Sequence, residues 1–289
     1  WHKAVCAPSR ACILTGGNVY HAVSHEPEPK FDDIMKNHCN INQDLDLLPE
    51  VLKKNGYYTY AVGKWHNDKA SFHRSFNNGG ALFFGGMADP ESTPLHSFKE
   101  NGLYPPEEAK ISKKFATEIF CDEGVNFINS YDQDSPFFLY IAFTSPHDPR
   151  HAPENFRKLY DAQKIPLPKN FQFVHPFDNG EMHVRDEGLA SLPRVPQEIC
   201  QQIADYYSMI SHMDAQMGRI INAVSNKGID DETIIIYTSD HGLAMGQHGL
   251  IGKQNLYDHS IKIPFLIKSP NIESNQVINA LTCQMDILP

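Results

Sequence analysis

The sequence predicts an α/β fold, a mostly parallel central sheet flanked by helices. Three observations carry this. Apolar residues switch along the chain between helical spacing, three or four apart, and short strand-like runs. The run at 137–143 is apolar without interruption, as in a strand buried on both faces of a parallel sheet. Finally, cationic or metal-binding side chains follow three of the strand-like runs, where ligands gather in an open α/β sheet. They stand in Gly63-Lys64-Trp65-His66, Ser145-Pro146-His147-Asp148 and Ser239-Asp240-His241-Gly242.

In chain order, a short helix is expected from about Ser9, a good N-cap residue. It should close at Thr15-Gly16-Gly17, where glycine accepts the left-handed cap. Residues 45–55 read as a helix with Leu48, Val51 and Leu52 on one face and Gly56 as its stop. A strand is expected at 57–62. Residues 67–110, rich in Gly, Pro, Asn and Ser, read as a long irregular excursion. Helical spacing resumes over 113–131 through Phe115, Ile119 and Phe127, ahead of the strand at 137–143. A second, Pro-rich excursion covers 149–196. The longest helix, 197–226, carries Ile199, Ile203, Tyr206, Ile210, Met213, Met217, Ile220 and Val224 as a core stripe. Two more strands are expected at 233–238 and 261–267.

Length and composition bound the possibilities. The chain has 289 residues, enough for one large domain or two small ones. Apolar residues make up 41% and charged residues 21%, which excludes disordered and fibrous classes. A net charge of −10 with no Lys/Arg block leaves no electrostatic footprint for nucleic acid. No apolar run approaches the roughly 20 residues that span a bilayer, so no transmembrane segment is expected. Six cysteines (Cys6, Cys12, Cys39, Cys121, Cys200, Cys283) form no CxxC pair, so neither a zinc cluster nor a disulfide framework is indicated. The chain starts at Trp1 and stops just after a run that reads like the start of another element, so it looks like a piece of something longer.

The chemistry is suggested by the company these residues keep. Lys64, His66, His147 and Lys253 are cations or potential cations, and Asp240-His241 joins a carboxylate to an imidazole. An acidic protein that collects such groups at one sheet edge suits a small anion. Phosphoryl or sulfuryl transfer needs neutralised equatorial oxygens, a fixed nucleophile and an acid for the leaving oxygen.

Cys6-Ala7-Pro8-Ser9-Arg10, followed by Thr15-Gly16, matches the sulfatase signature C-x-P-S-R-x-x-x-x-T-G at every fixed position. Gly56-Tyr57-x-Thr59-x-x-x-Gly63-Lys64-Trp65-His66 resembles the family's second signature. Thr238-Ser239-Asp240-His241-Gly242, then 249–257 with Lys253 inside, resembles a third. The helix around Met213-Asp214-Ala215-Gln216-Met217-Gly218-Arg219 is similar to the one that precedes the family's metal strand. The likeness runs from Cys6 to about Asp286.

This resemblance implies an alkaline phosphatase-like fold and a sulfuric ester hydrolase dependent on formylglycine and calcium. Cys6 would be oxidised to formylglycine by a maturation enzyme, and Arg10 would hold its side chain and help neutralise the site. Lys64 would bridge formylglycine and a sulfate oxygen, while His66 would bond the formylglycine hydroxyl. His147 would contact sulfate or protonate the leaving oxygen, and Lys253 would neutralise sulfate near that oxygen. Asp240 and His241 would bind calcium; the Asp-His pair marks a subset that includes iduronate-type sulfatases and phosphonate monoester hydrolases. Attack on sulfur would be followed by C–O cleavage that releases sulfate and regenerates the aldehyde. Relatives place an Asp-Asp pair on a strand before the cysteine and carry a C-terminal subdomain. Residues 1–289 would therefore be a single incomplete catalytic domain. The family also implies export to the periplasm, a lysosome or the medium, although no N-x-S/T sequon occurs. A sulfated sugar is the implied substrate, with a phosphonate monoester or phosphodiester, or plain binding of sulfated glycans, as rivals.

Plainer readings stand beside these. Alone, Cys6 would be a small buried residue, Lys64 a surface lysine, and either histidine structural. Cys12 reads as core packing, and Phe83-Phe84 as packing before sugar stacking. Asp32-Asp33 reads as a solvated pair rather than a substitute for the upstream aspartates. His248, Asp148, Arg150, His151 and His183 could line a substrate pocket or be solvated loop residues.

Overall fold

The computed structural model describes residues 5–24, 40–288. Helix α1 (Cys6–Thr15) closes on Gly16, whose φ of 65° is the left-handed cap expected. Its start lies earlier than Ser9: Val5 is the N-cap and offers no side-chain bond. Ser9 is instead fully buried and used for a tertiary contact described below. A one-turn helix, α2 (Val19–Ala22), and α3 (Leu48–Lys54) lead into β1 (Tyr58–Lys64).

The first excursion departs from the expected irregularity. It contains α4 (Lys69–Ser75), capped by the Asp68 side chain, and β2 (Asn78–Phe83). Gly79 and Gly80 hid that strand from a propensity reading. Packing requires the first, since a Cβ on Gly79 would sit 2.7 Å from the Ala61 carbonyl oxygen, while a Cβ on Gly80 would displace the Glu123 side chain. Two-residue strands β3 (Pro94–Leu95) and β4 (Lys110–Ile111) pair antiparallel at the excursion's edge. Phe83 is buried and Phe84 packs against Phe72 and Tyr104.

Helix α5 (Ala116–Ser130) and β5 (Phe137–Ala142) follow. Strands β2, β1 and β5 form a parallel sheet in that order, with Ala61 opposite both Gly79 and Tyr140. Helix α5 lies close on this sheet, where Gly124 leaves room for Ile141. The second excursion holds only a single turn, α6 (Glu154–Arg157), and short 3-10 segments. The 32-residue α7 (Pro196–Lys227) packs on α5 and buries Ile199, Ile203, Met209, Met213 and Val224. Then come β6 (Ile235–Thr238), the turn α8 (Asp258–Ile261) and β7 (Phe265–Lys268).

The last strand begins later than the apolar run suggested. It pairs antiparallel with β6 and is exposed along its length. Among the described residues the β6–β7 pair shares no ladder with the three-stranded sheet. One buried core lies beside β1, where Trp65 meets Phe72, Phe76 and Tyr140 edge-on. No helix among the described residues is long and apolar enough to cross a membrane.

Candidate active site

Parallel strands deliver their carboxyl ends to one edge, and the helical start of α1 is brought to the same place. Cys6, in the first turn of α1, is buried, and its Sγ lies 3.2 Å from His241 Nε2, just past β6. His241 Nδ1 is 2.9 Å from the Gly242 carbonyl oxygen, which orients the ring with Nε2 toward Cys6. Lys64 ends β1 and is buried, its Nζ donating to the Gly86 carbonyl at 2.6 Å. His66 follows with φ of 63°, a left-handed backbone that costs a non-glycine residue energy and clusters at functional sites. A Cβ on Gly86 would meet His66 Nε2 at 2.7 Å, so that glycine permits the imidazole's approach.

Two ion pairs hold the frame. Arg10 Nε is 3.0 Å from Asp240 Oδ2, and the guanidinium also donates to the Lys64 carbonyl at 2.9 Å. Burial would raise the Asp240 carboxyl, but Arg10 and His241 bring it below the ordinary range. On the other side, His147 Nδ1 is 3.1 Å from Asp148 Oδ1, and Lys253 Nζ is 3.0 Å from His147 Nε2. Burial works against a protonated His147, yet bonds to Asp148 and Cys6 raise it above its usual value. His66 goes the other way, lowered chiefly by burial.

These cations act on Cys6. Burial alone would push its thiol up, but Lys64 and bonds from His147, His241 and His66 carry it well below the usual thiol range. Burial also lowers the Lys64 ammonium, against the pull of Cys6. The chamber is therefore built to hold negative charge at the end of residue 6, even though that atom here is sulfur.

Cys6, Arg10, Lys64, His66, His147, Asp240, His241 and Lys253 are thus brought together. Asp148 also belongs there, but as the partner of His147 and Arg185 rather than a free group. Arg150 is engaged by Gln202 and lies under α7's side of the excursion. His248 turns elsewhere, stacked 4.2 Å from Tyr257 and bonded to Asn170. His151 faces Glu91, and His183 is exposed on a turn. Cys12 is fully buried. Asp32-Asp33 and Cys39 lie outside the described residues.

Sequence reasoning missed several supports. Gln284 is buried and donates through Nε2 to the Ser239 and Asp240 carbonyls, at 2.5 and 2.9 Å. The Ser9 hydroxyl donates to the same Asp240 carbonyl at 2.5 Å. Together they tie α1 to the turn after β6. Tyr140, Gly86 and the charged turn Arg185–Leu189 were equally silent, because contacts between distant segments leave no local pattern.

Cys6, Asp240 and His241 place one ligand atom each within 4.8 Å of one another. The carboxylate suits a hard cation such as calcium and the thiol does not; an oxygen at position 6 would improve the match.

The family model for sulfatases matches residues 2–289. An N-acetylglucosamine-6-O-sulfatase from Bacteroides thetaiotaomicron is 27% identical, over 99% of this chain and 58% of its own length. A structure solved with its substrate D-glucosamine-2-N,6-O-disulfate superposes with a TM-score of 0.76 at 21% identity, over 99% of this chain and 66% of that one. A phosphonate monoester hydrolase from Silicibacter pomeroyi gives 0.68 at 20% identity, over 98% and 62%. The chain spans about half to three-fifths of the length of the curated relatives it matches. The architecture is the alkaline phosphatase-like one, and the chain belongs to the sulfatase family.

Proposed function

We propose that this protein hydrolyses a sulfate ester on a sugar, using formylglycine made from Cys6 and a calcium ion held in part by Asp240 and His241. The observation that carries the reading is the convergence of Lys64, His66, His147 and His241 on the single side chain that the family signature marks. Sulfur Sγ stands in for the hydroxyl oxygens that residue 6 would carry after conversion. When formed, formylglycine supplies a hydrated aldehyde oxygen as nucleophile toward sulfur. When bound, calcium supplies positive charge beside the sulfate oxygens.

The chain's own residues do the rest. Arg10 holds Asp240 ionised and aimed at the metal position. Lys64 neutralises a sulfate oxygen, and His66, kept neutral by burial, can take a proton from the nucleophile. His147 and Lys253, 3.0 Å apart, stand as the acid pair for the leaving oxygen. A formylglycine-generating enzyme is the implied partner in maturation, and an exported compartment is the implied setting.

The test is peptide mass spectrometry over Cys6 after co-expression with such an enzyme, followed by parallel rates on N-acetylglucosamine 6-sulfate and a phosphonate monoester. Conversion with faster sulfate release is expected. A structural neighbour that hydrolyses phosphonate monoesters favours the second substrate as the rival, and faster phosphonate cleavage would establish it. An unconverted Cys6 in protein exposed to the maturation enzyme would leave only glycan binding.

A further inference from the structure

The second excursion does more than border the site. Its 3-10 turn, Arg185–Leu189, begins with three consecutive charged residues, and each grips a different part of the chamber. Asp186 Oδ2 lies 3.3 Å from Lys253 Nζ, with both side chains almost fully buried. Arg185 donates to Asp148 Oδ2 at 2.6 Å, and its Nε is 3.4 Å from Asp186 Oδ1. Lys253 reaches His147 Nε2, and His147 Nδ1 reaches Asp148. The contacts close into a ring: Asp186, Lys253, His147, Asp148, Arg185 and back to Asp186.

Glu187 anchors the turn itself. Its carboxylate accepts from the backbone N–H groups of Ile251 and Gly252, at 3.0 and 2.8 Å, in the loop that carries Lys253. Fully buried Arg194 sits behind it, paired with the Glu187 carboxylate and donating to the carbonyls of Glu187, Ala190 and Gly249. The turn is therefore bolted to the Lys253 loop at two levels.

We infer that Asp186 is a positioning residue for the leaving-group side of the reaction, holding Lys253 against His147, with Arg185 doing the same for His147 through Asp148. The physical need is plain. A lysine ammonium is a point charge on a flexible four-carbon stem, and Lys64 and His147 repel it from the same chamber. An anion at its back sets its direction and offsets that repulsion. The ring holds both members of the leaving oxygen's acid pair and reaches the nucleophile only through the His147–Cys6 contact, so its loss should matter most where the departing alcohol needs a proton.

This rests on the hydrolase reading, so the experiment separates the two. Converted protein is assayed on N-acetylglucosamine 6-sulfate, a poor leaving group, and on nitrophenyl sulfate, a good one. Asp186→Asn should lower kcat by about 10- to 100-fold on the sugar ester and by less than about threefold on the aryl ester. KM should hardly change, and Asp186→Glu should recover part of the sugar-ester rate. Arg185→Met, at the ring's exposed end, should show the same preference more weakly and answers the question if Asp186→Asn does not fold. Equal losses on both esters, or no loss on either, overturn the inference. Wild-type protein that is converted yet cleaves neither ester overturns the hydrolase reading instead.

Discussion

Asp148 shows how a single side chain can be read from sequence for its neighbourhood but not for its job. It was legible as part of Ser-Pro-His-Asp at a strand end. What it does there depends on Arg185, 37 residues later, which no motif announces. Burial would raise its carboxyl, yet the bond from His147 and the charges of His147, Arg185 and Lys253 bring it to about 2. A folded value below the unfolded one, about 3.9, means stability that is present above pH 4 and fades as pH falls toward 2. Asp148→Asn should therefore lower the melting temperature at pH 7 and flatten its decline between pH 4 and 2. Melting curves across that range check this, and parallel declines for both proteins would contradict it. The same limit explains the rest of the residue-scale reading: Cys6, Lys64, His66, His147, Asp240 and Lys253 stand in motifs, whereas Asp186, Arg194 and Gln284 serve the site through contacts to Lys253, Gly249 and Asp240 across long sequence separations.

Elements were legible where one period dominates. The α7 stripe and the apolar run of β5 were placed to within one or two residues, because burial on a single face or within a sheet imposes its own spacing. Helix α4 and strand β2 escaped, since their reasons are tertiary: a side-chain cap from Asp68, and glycines that let neighbours approach. Strand β1 holds the sharpest such requirement. Gly63 has φ of 86°, and a Cβ there would lie 2.2 Å from the Ala142 carbonyl oxygen on the adjacent strand. Gly63→Ala should cost about 3 kcal/mol, from the left-handed backbone and the displaced strand together. Denaturant unfolding measures that cost. Because Lys64 is the next residue, the sulfate-ester hydrolysis proposed above should also be slower in the variant at a permissive temperature.

For the molecule as a whole, sequence conveyed the class of fold and the edge at which chemistry gathers, but not strand order. Apolar runs do not say which strand lies beside which, so the antiparallel β6–β7 pair and its exposed face came only from structure. The candidate metal position joins these pieces, because Asp240 follows β6 while Arg10 reaches it from α1. Calcium that binds the folded chain alone should stabilise all of it together, by about 2.7 kcal/mol at a hundredfold excess over Kd. Thermal melts of chelator-treated protein with and without calcium test this in wild type and in Asp240→Asn. A shift of equal size in both would move the metal elsewhere.

The buried Arg194 divides the second excursion into unlike halves. Residues 185–194 are locked to the Lys253 loop through Glu187, whereas at exposed Gly180 an added side chain would meet nothing, and Phe177 nearby is exposed. Exposed turn tips of that kind tolerate insertion and exchange. Foreign sequence grafted around Gly180 should then leave the fold and the chamber's charges where they are, which makes that turn the place to begin exchanging sequence in the second excursion.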